Sequence, residues 1–468
     1  MKRLIALIMM AALMLTMLAA CGGSTNVDKK VEIVPYDGSD VTITFSHTMG
    51  ANLKEVLDYH IAEFNKLYPN IHIEHNSVGG WGDIAGIINT EIMGDNQPNV
   101  AYCYPDHVAM YNAAKAVVTL DDFISSTVEQ EHADGTTEIL GLTAEQVDDF
   151  IDGFYNEGMA YGDGKMYTLP MSKSTEVLYY NKTYFDANGL KVPETWEEMK
   201  ALCQELKAKD PECIPLGYDS EANWFITMAE QYGSPYTSAS GSDHYLFNND
   251  TNKAFVKEFR EWYQNGWVTT ETLYGAYTSG LFTEQDKGDK HSYMCIGSSG
   301  GAQYQIPDNR AFEVGVAPIP QVSEDNQKVI SQGPSLCILR GGKTSDMQVI
   351  ASWLFVKYLT TNMAFQTDFS STSGYMPVLE SAQENELYAE WLASADGYEF
   401  LTALVVKVGL EEDDTYFTSP AFKGSTVARE QVESLMARCI SQPTDNVDAL
   451  INDEFQYAYD ECVYLGGN

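Results

Sequence analysis

Residues Val41-Thr42-Ile43-Thr44-Phe45 alternate apolar and polar, the period of a half-buried strand. Behind them Leu53, Val56, Leu57, Ile61, Phe64 and Leu67 recur at helical spacing, and the stripe stops before Pro69. Residues 71–78 read as a second strand, with His72 and Glu74 on one face. Ile84, Ile87, Ile88 and Ile92 mark a second helix, ended by Gly94, and residues 100–104 a third strand. Strand, helix, strand, helix, strand is the pattern of βαβ units on a parallel sheet.

The alternation resumes after a loop-rich stretch at 134–163, with a strand at 175–180. Thr195-Trp196-Glu197-Glu198 is a capping box: Thr195 takes the amide of Glu198 while that carboxylate reaches back. The helix behind it carries Met199, Leu202, Cys203 and Leu206 on one face. Phe255, Phe259 and Trp262 define another, closed near Gly266. Met347, Ile350, Ala351, Leu354, Phe355 and Tyr358 predict the cleanest amphipathic helix of the chain. Helices around 427–440 and 447–463 finish it. No internal repeat or low-complexity tract interrupts this order, which predicts an α/β fold in two lobes.

At 468 residues the chain has room for two or three domains of roughly 100–200 residues each. Its 28 Lys+Arg against 67 Asp+Glu leave a net charge of −39. Such a surface repels phosphate, which excludes nucleic acid as a partner and a polybasic mode of membrane binding. Lys2 and Arg3 precede an unbroken apolar stretch at 4–20, the layout of a secretory signal. Leu18-Ala19-Ala20-Cys21 also resembles the lipobox of bacterial lipoproteins. That resemblance implies removal of residues 1–20, a diacylglycerol on Cys21 and tethering to the outer face of the cell membrane. Residues 21–40, small and polar, suit a flexible linker behind such an anchor. Seven cysteines remain, an odd number without CxxC or metal-like spacing. Buried thiols are the simpler reading, with Cys203–Cys213 or Cys439–Cys462 as alternatives.

Motif by motif, catalysis finds little support. Gly297-Ser298-Ser299-Gly300-Gly301 satisfies GxSxG, but the elbow needs a helix after it and a later histidine. The eight histidines end at His291, and Pro307 cuts any following helix short. Gly341-Gly342-Lys343-Thr344 resembles the tail of a phosphate loop, yet Cys337 stands where its first glycine belongs. A turn capping the Met347 helix is the better account. His72 and His75 point to opposite faces of a strand, so a metal is not expected.

Aromatic side chains carry the remaining signal: 29 Tyr, 19 Phe and 7 Trp, most of them needed for core. Some sit in loop settings. Trp81 is flanked by Gly79, Gly80, Gly82 and Asp83. Tyr104-Pro105-Asp106-His107 follows a strand end, where open α/β sheets bind ligands. Asn223-Trp224-Phe225 opens a segment, and Tyr416-Phe417 precedes Ser419-Pro420. Rings beside Asp, Asn and His suit carbohydrate, stacking on its C–H face while the polar groups take hydroxyls.

These residues point to a family. Residues 170–182, PMSKSTEVLYYNK, resemble the hallmark strand of the family 1 extracellular solute-binding proteins, the maltose-binding-like group that serves ABC importers. Glu63-Phe64-Asn65-Lys66-Leu67-Tyr68-Pro69-Asn70, Pro193-Glu194-Thr195-Trp196, Gly315-Val316-Ala317-Pro318-Ile319-Pro320 and Gly374-Tyr375-Met376-Pro377-Val378 are similar in order and spacing. Asn99, where the family has Asp, and Ala187, at a site commonly polar, depart from the pattern. So does the absence of a Trp around Ser298-Ser299-Gly300. The resemblance implies a two-lobed periplasmic-binding-protein-like fold of type II, with ligand between lobes joined by crossing hinge strands. The first lobe covers 41–172 plus 333–377, and the second 173–332 plus 378–468. It implies a monomer that binds a sugar, an oligosaccharide, and delivers it to an ABC permease, with no cofactor and no bond broken. Carried over by position, first-lobe contacts come from His47, Thr48, Trp81, Tyr104, Asp106 and His107. Ser174 and Glu176 lie at one hinge strand, Gln332 and Ser335 at the returning one. Trp224, Ser298, Ser299, Phe417 and Phe422 come from the second lobe. Asp106 is the expected hydroxyl acceptor and Trp224 the stacking platform. A hinge salt bridge is the alternative for Glu176, and a strand-end hydrogen bond for His47. Peptides or polyamines are a rival ligand class. A secreted carbohydrate-active or ester hydrolase and a surface adhesin are rivals of a different kind.

Overall fold

The computed structural model describes residues 30–284, 290–307, 310–393, 401–411 and 415–467. The signal at 1–20 and the lipidation residue Cys21 lie outside the described residues. Residues 30–40, expected in the flexible linker, are packed on the body instead. Val31 and Tyr36 are buried, and the Tyr36 N–H donates to Gln130 Oε1 at 2.7 Å. The alternation of Val31, Ile33 and Val34 with polar neighbours gives this stretch an apolar side worth burying.

In chain order the strands are β1 (Val41–His47), β2 (Ile71–Ser77), β3 (Val100–Cys103), β4 (Glu129–Glu131), β5 (Thr137–Ile139), β6 (Leu169–Pro170), β7 (Glu176–Asn181), β8 (Leu216–Tyr218), β9 (Val268–Thr270), β10 (Met294–Ser298), β11 (Val314–Pro318), β12 (Val329–Ile330), β13 (Ser335–Ile338) and β14 (Tyr416–Phe417). Two five-stranded sheets form the lobes, in the orders β2-β1-β3-β13-β6 and β11-β7-β10-β8-β9. In the first sheet β1 runs parallel to β2 and β3, as the βαβ pattern predicts. β13 arrives from the other lobe and pairs antiparallel with β3 and β6, so the sheet is mixed. Asn99 serves this pairing: its Oδ1 accepts the Thr44 N–H at 3.0 Å and pins the start of β3 to β1.

Each lobe has its own core. Ile43, Phe45, Phe64, Ile88, Leu336 and Trp353 lie at the centre of the first. Leu178, Met199, Leu206, Trp262, Leu435 and Phe455 lie in the second. β7 is buried on both faces, because Val177 and Tyr179 point into a third cluster with Phe282, Ala302 and Val405. Thr195 caps the helix Trp196–Lys209 as its sequence predicts, accepting the Glu198 N–H at 3.2 Å. The helix Asp346–Thr361 differs from expectation. It is buried nearly all round, and even Lys357 is inside, its ammonium on Glu138 Oε2 at 2.7 Å and the Ile139 carbonyl at 2.6 Å. Val378, Leu379, Ala382 and Tyr388, expected in the second lobe, pack into the first core. Their apolar side chains follow directly on the passage at Met376 and meet that core first.

The lobes are joined where Ser174 exchanges two backbone hydrogen bonds with Gln332 and Lys173 two with Met376. β12 pairs with β14 beside them. Under these crossings lies a buried ion pair, Lys173 Nζ to Glu157 Oε1 at 2.6 Å. Ser331 and Thr418 also donate to Glu157 Oε2, at 3.1 and 3.3 Å, and Lys173 to Ser335 Oγ at 3.2 Å. One carboxylate therefore holds residues from several passages between the lobes.

Candidate functional site

The first-lobe wall grows from the end of β3. Tyr102 and Tyr104 are two residues apart, so their rings project to the same side. Trp81 opens the helix Trp81–Met93 above them, held by Asp83, whose carboxylate accepts the Gly80 N–H at 3.1 Å. Gly79 before it has φ +62°, and a Cβ there would meet the Asp83 side chain at 2.7 Å. The indole stacks on Tyr104 at 4.4 Å and 15°, and lies over Tyr102 at 5.8 Å and 9°. Beside it is the phenol of Tyr375, whose pKa burial raises against a lowering effect of the Trp81 side chain; Tyr375 follows the left-handed Gly374 at a helix end. Gly300 faces this phenol: a Cβ on it would stand 2.6 Å from the Tyr375 ring. The glycine run thus lets the second lobe close on an aromatic group, which accounts for GxSxG without a nucleophile.

Polar groups surround the rings. Asp106 and His107 sit in the first turn of the helix Pro105–Asn112, both buried, with His107 Nδ1 accepting the Tyr104 N–H at 3.3 Å. Burial pushes the His107 imidazole pKa down, and the Arg429 cation adds to this against the pull of Asp106. Across the cleft Glu176 is buried at the start of β7 and takes the Tyr218 hydroxyl at 2.6 Å. Burial raises its carboxyl pKa to about 7, against the lowering effect of Tyr218, of the Asn223 side chain and of Arg429. Arg429, from the helix Ser425–Ser441, donates to Asn223 Oδ1 and acts electrostatically on Tyr104 and His107 as well as on Glu176. It belongs to both walls. Glu430 and Glu433 stand nearby, their pKa values raised by burial first, then by Asp106 and Glu221 respectively.

The lobes touch at both sides of this cleft. Asn52 Nδ2 donates to Gln303 Oε1 at 2.9 Å, and Thr426 Oγ1 to the Asp106 carbonyl at 3.3 Å.

Several expected contacts lie elsewhere. Trp224 is fully buried in the second core, against Tyr218 at 4.9 Å and Phe259 at 4.1 Å, so it is a core ring and not an exposed platform. Its helix, Glu221–Gln231, is enclosed on every side, which the pattern Asn-Trp-Phe does not reveal. His47 is buried, with Nδ1 accepting the Met49 N–H at 3.0 Å and Nε2 on His75 Nδ1 at 2.9 Å. Both ring nitrogens are used within the lobe, and burial, with His75 next, pushes its pKa down to about 3. The strand-end alternative holds for it. Ser299 is buried, its Oγ accepting the Thr175 N–H at 3.3 Å. Ser298 Oγ caps the following 3-10 turn by accepting the Gly300 N–H. Ser335 serves Lys173, and Ser174 and Gln332 meet through their backbones. Thr48 is half-buried beyond β1. Phe417 lies in β14 against the second core, and Phe422 stacks on His244 at 4.8 Å. Trp81, Tyr104, Asp106, His107 and Glu176 are the expected residues that gather.

Tyr102, Tyr375, Asn223 and Arg429 were not anticipated as site residues. Tyr375 lies inside a family-like stretch, and Asn223 beside a tryptophan whose loop-like setting is the stronger signal. Arg429 sits within a helical pattern that carries no sign of the cleft. The seven cysteines beyond Cys21 are all free, buried thiols. Gly342 donates to Asp95 Oδ1 at 2.6 Å, and a carboxylate in that turn is incompatible with a phosphate there.

A family profile described as bacterial extracellular solute-binding protein matches residues 60–395. The multiple sugar-binding protein of Streptococcus mutans is 24% identical over 366 residues, 75% of this chain and 76% of its own. Among solved structures, the cyclic alpha-maltosyl-1,6-maltose binding protein of Arthrobacter globiformis superposes with a TM-score of 0.69 at 17% identity, covering 92% of this chain and all of that one. UgpB of Mycobacterium tuberculosis, in complex with glycerophosphocholine, gives 0.69 at 16%, covering 91% and 98%. With that match, this two-lobed architecture and a cleft walled from both sides, the chain belongs to the bacterial extracellular solute-binding proteins.

Proposed function

We propose that the protein is a lipid-anchored receptor that captures a carbohydrate, an oligosaccharide, between its lobes and delivers it to an ABC permease. The observation that carries this reading is the parallel stack of Trp81 on Tyr104 at 4.4 Å, bordered by Asp106, His107, Glu176, Asn223 and Arg429. A flat apolar platform ringed by short polar groups matches the two kinds of surface a sugar presents. The sugar-binding names of the Streptococcus and Arthrobacter relatives support the same class. In this reading 41–172 with 333–377 form the first lobe, joined by 30–40 and 378–393, and 173–332 with 415–467 form the second. The ligand contacts both lobes only when they are closed, so it selects the closed form, and a permease in the membrane recognises that form. ATP is hydrolysed by a separate subunit. Cys21 carries the lipid, and the receptor acts as a monomer outside the cell membrane.

Trp81→Ala removes the platform and should abolish most of the affinity for sugar, read by calorimetric titration. An unchanged affinity would refute the stacking role. The hydrolase alternative loses its nucleophile, since the Ser299 hydroxyl is buried and committed to Thr175. A second reading keeps the fold and changes the ligand. Asp106, Glu176, Glu430 and Glu433 around Arg429 favour a cationic ligand such as a peptide or polyamine. Salt separates the two, because charge capture weakens steeply with ionic strength and sugar stacking does not.

A further inference from the structure

Beneath the platform two histidines form a chain whose protons have only one arrangement. His47, the last residue of β1, is fully buried. The Met49 N–H donates to its Nδ1 at 3.0 Å, so in the neutral ring the hydrogen is on Nε2. That hydrogen is donated to His75 Nδ1 of β2, 2.9 Å away. His75 therefore carries its own hydrogen on Nε2 and donates it to Asp58 Oδ1 at 2.8 Å. Each ring nitrogen is committed once. A further proton on His75 sets two hydrogens between the rings, and one on His47 Nδ1 faces the Met49 N–H. An imidazolium cannot form here without breaking a bond of the chain. The other groups facing the pair are Lys54 and Asp58 on the helix Ala51–Leu67 and the Tyr102 phenol of β3, while His72 and Glu74 alternate to the opposite face of β2. Burial, then His75 and Lys54, push the His47 pKa down to about 3 against the pull of Asp58.

The same histidine holds the backbone that carries the platform. The His47 carbonyl accepts the Val78 N–H at 2.8 Å, three residues before Trp81, and Ser77 Oγ donates to the Met49 carbonyl at 3.0 Å. The His47 ring meets Tyr102 at 5.9 Å, and Tyr102 lies under the Trp81 indole. Beyond Met49 starts the helix that brings Asn52 to Gln303 of the second lobe.

We propose that the His47–His75–Asp58 chain is a proton-operated switch on ligand binding: a proton taken up in mildly acid medium parts the two rings, frees the end of β1 and displaces the Trp81 platform. The effect on the ligand rests on the reading of Trp81 as its platform. A freed imidazole takes its proton near pH 6.5, about the ordinary value. The intact chain is favoured above that pH and gives way below it, because only the parted form binds the proton. One such proton shifts the balance toward the parted form by about tenfold between pH 7.5 and 5.5.

The test uses the full chain, purified in a detergent without a sugar headgroup, at pH 7.5 and 5.5. Hydrogen exchange without ligand, corrected for the chemical rate, reads the Met49 and Val78 amides, which His47 holds through Nδ1 and its carbonyl. Their protection should fall about tenfold at pH 5.5, while the helix Trp196–Lys209 in the second lobe is unchanged. In His75→Asn the side-chain oxygen stands in for Nδ1 as acceptor and does not titrate, so protection should hold at both pH values. His72→Asn, at an exposed histidine bonded to Asp40, should behave as wild type. Calorimetry with malto-, cello- and xylo-trisaccharides follows on the same proteins. Between the two pH values wild type should lose about tenfold more affinity than His75→Asn, whose own change measures cleft groups such as Glu176 and His107. Equal melting temperatures at pH 7.5 show that the variants are folded. Protection that does not change with pH in wild type, or falls equally in His75→Asn, overturns the switch whether or not a sugar binds. Protection that falls while both proteins lose affinity alike overturns its link to the platform. If none of the sugars binds at either pH, the glycan reading falls, and the exchange result still decides the switch.

Discussion

Removing Lys173 tests how the hinge is built. Its ammonium has no solvent exposure, and Glu157 beside it has 2%. Lys173→Met keeps the length of the side chain and deletes the charge, leaving Glu157 buried with two hydroxyl donors, Ser331 and Thr418. Breaking a buried pair by removing one partner costs about 3–5 kcal/mol, because the remaining charge has lost its compensation. Replacing both partners costs far less, since no bare charge is left. A cycle of Lys173→Met, Glu157→Gln and the double variant, read by urea unfolding at pH 7, isolates this coupling. The single lysine variant should lose about 3–5 kcal/mol and the double variant should recover most of it. A cost below about 1 kcal/mol for Lys173→Met, typical of a solvated surface pair, would refute the picture of a carboxylate holding the crossings.

Other substitutions give sharp outcomes. Trp224→Ala opens a large cavity in the second core and should destabilise that lobe by about 3–5 kcal/mol, lowering its melting temperature by roughly 10 °C. An unchanged melting temperature would return Trp224 to the cleft surface. Glu176 has a folded pKa near 7 against an ordinary 4.5, so the folded chain holds its proton more tightly than the unfolded one. Its contribution to stability is therefore full below about pH 4.5, falls as pH rises to about 7 and is flat beyond. Glu176→Gln should remove that slope and be more stable than wild type at pH 8 by about 1–3 kcal/mol in urea unfolding. Equal slopes in the two proteins would place the titration elsewhere.

Most of the framework was legible because it rests on local periodicity. The stripe from Leu53 to Leu67 and the box at Thr195 need only their own neighbours, and both elements form where the pattern places them. The helix at Asp346–Thr361 differs for the opposite reason: Lys357, Ser352 and Thr360 look like a solvent face, but Glu138 and the Ile139 carbonyl reach Lys357 from afar, and the two hydroxyls donate to carbonyls one turn back in their own helix. The site divides the same way. Trp81 and Tyr104 stand beside glycines and a strand end, signals a sequence carries. Trp224 shares the look of a loop aromatic but lies beneath Tyr218 and Phe259, which arrive from other elements. Arg429 reaches the cleft only because a helix more than 300 residues downstream of Asp106 lies against it, through Thr426. Contacts of that span leave no local trace.

The central claim, a glycan held on the Trp81–Tyr104 stack, is tested most directly by titrating the full chain with neutral oligosaccharides at low and high salt, alongside Trp81→Ala. The account predicts a saturable heat that is nearly the same at both salt concentrations, lost in the variant, with the sugar recovered unaltered. Binding confined to polyamines or peptides and falling steeply with salt, or sugar binding that survives Trp81→Ala, would contradict it.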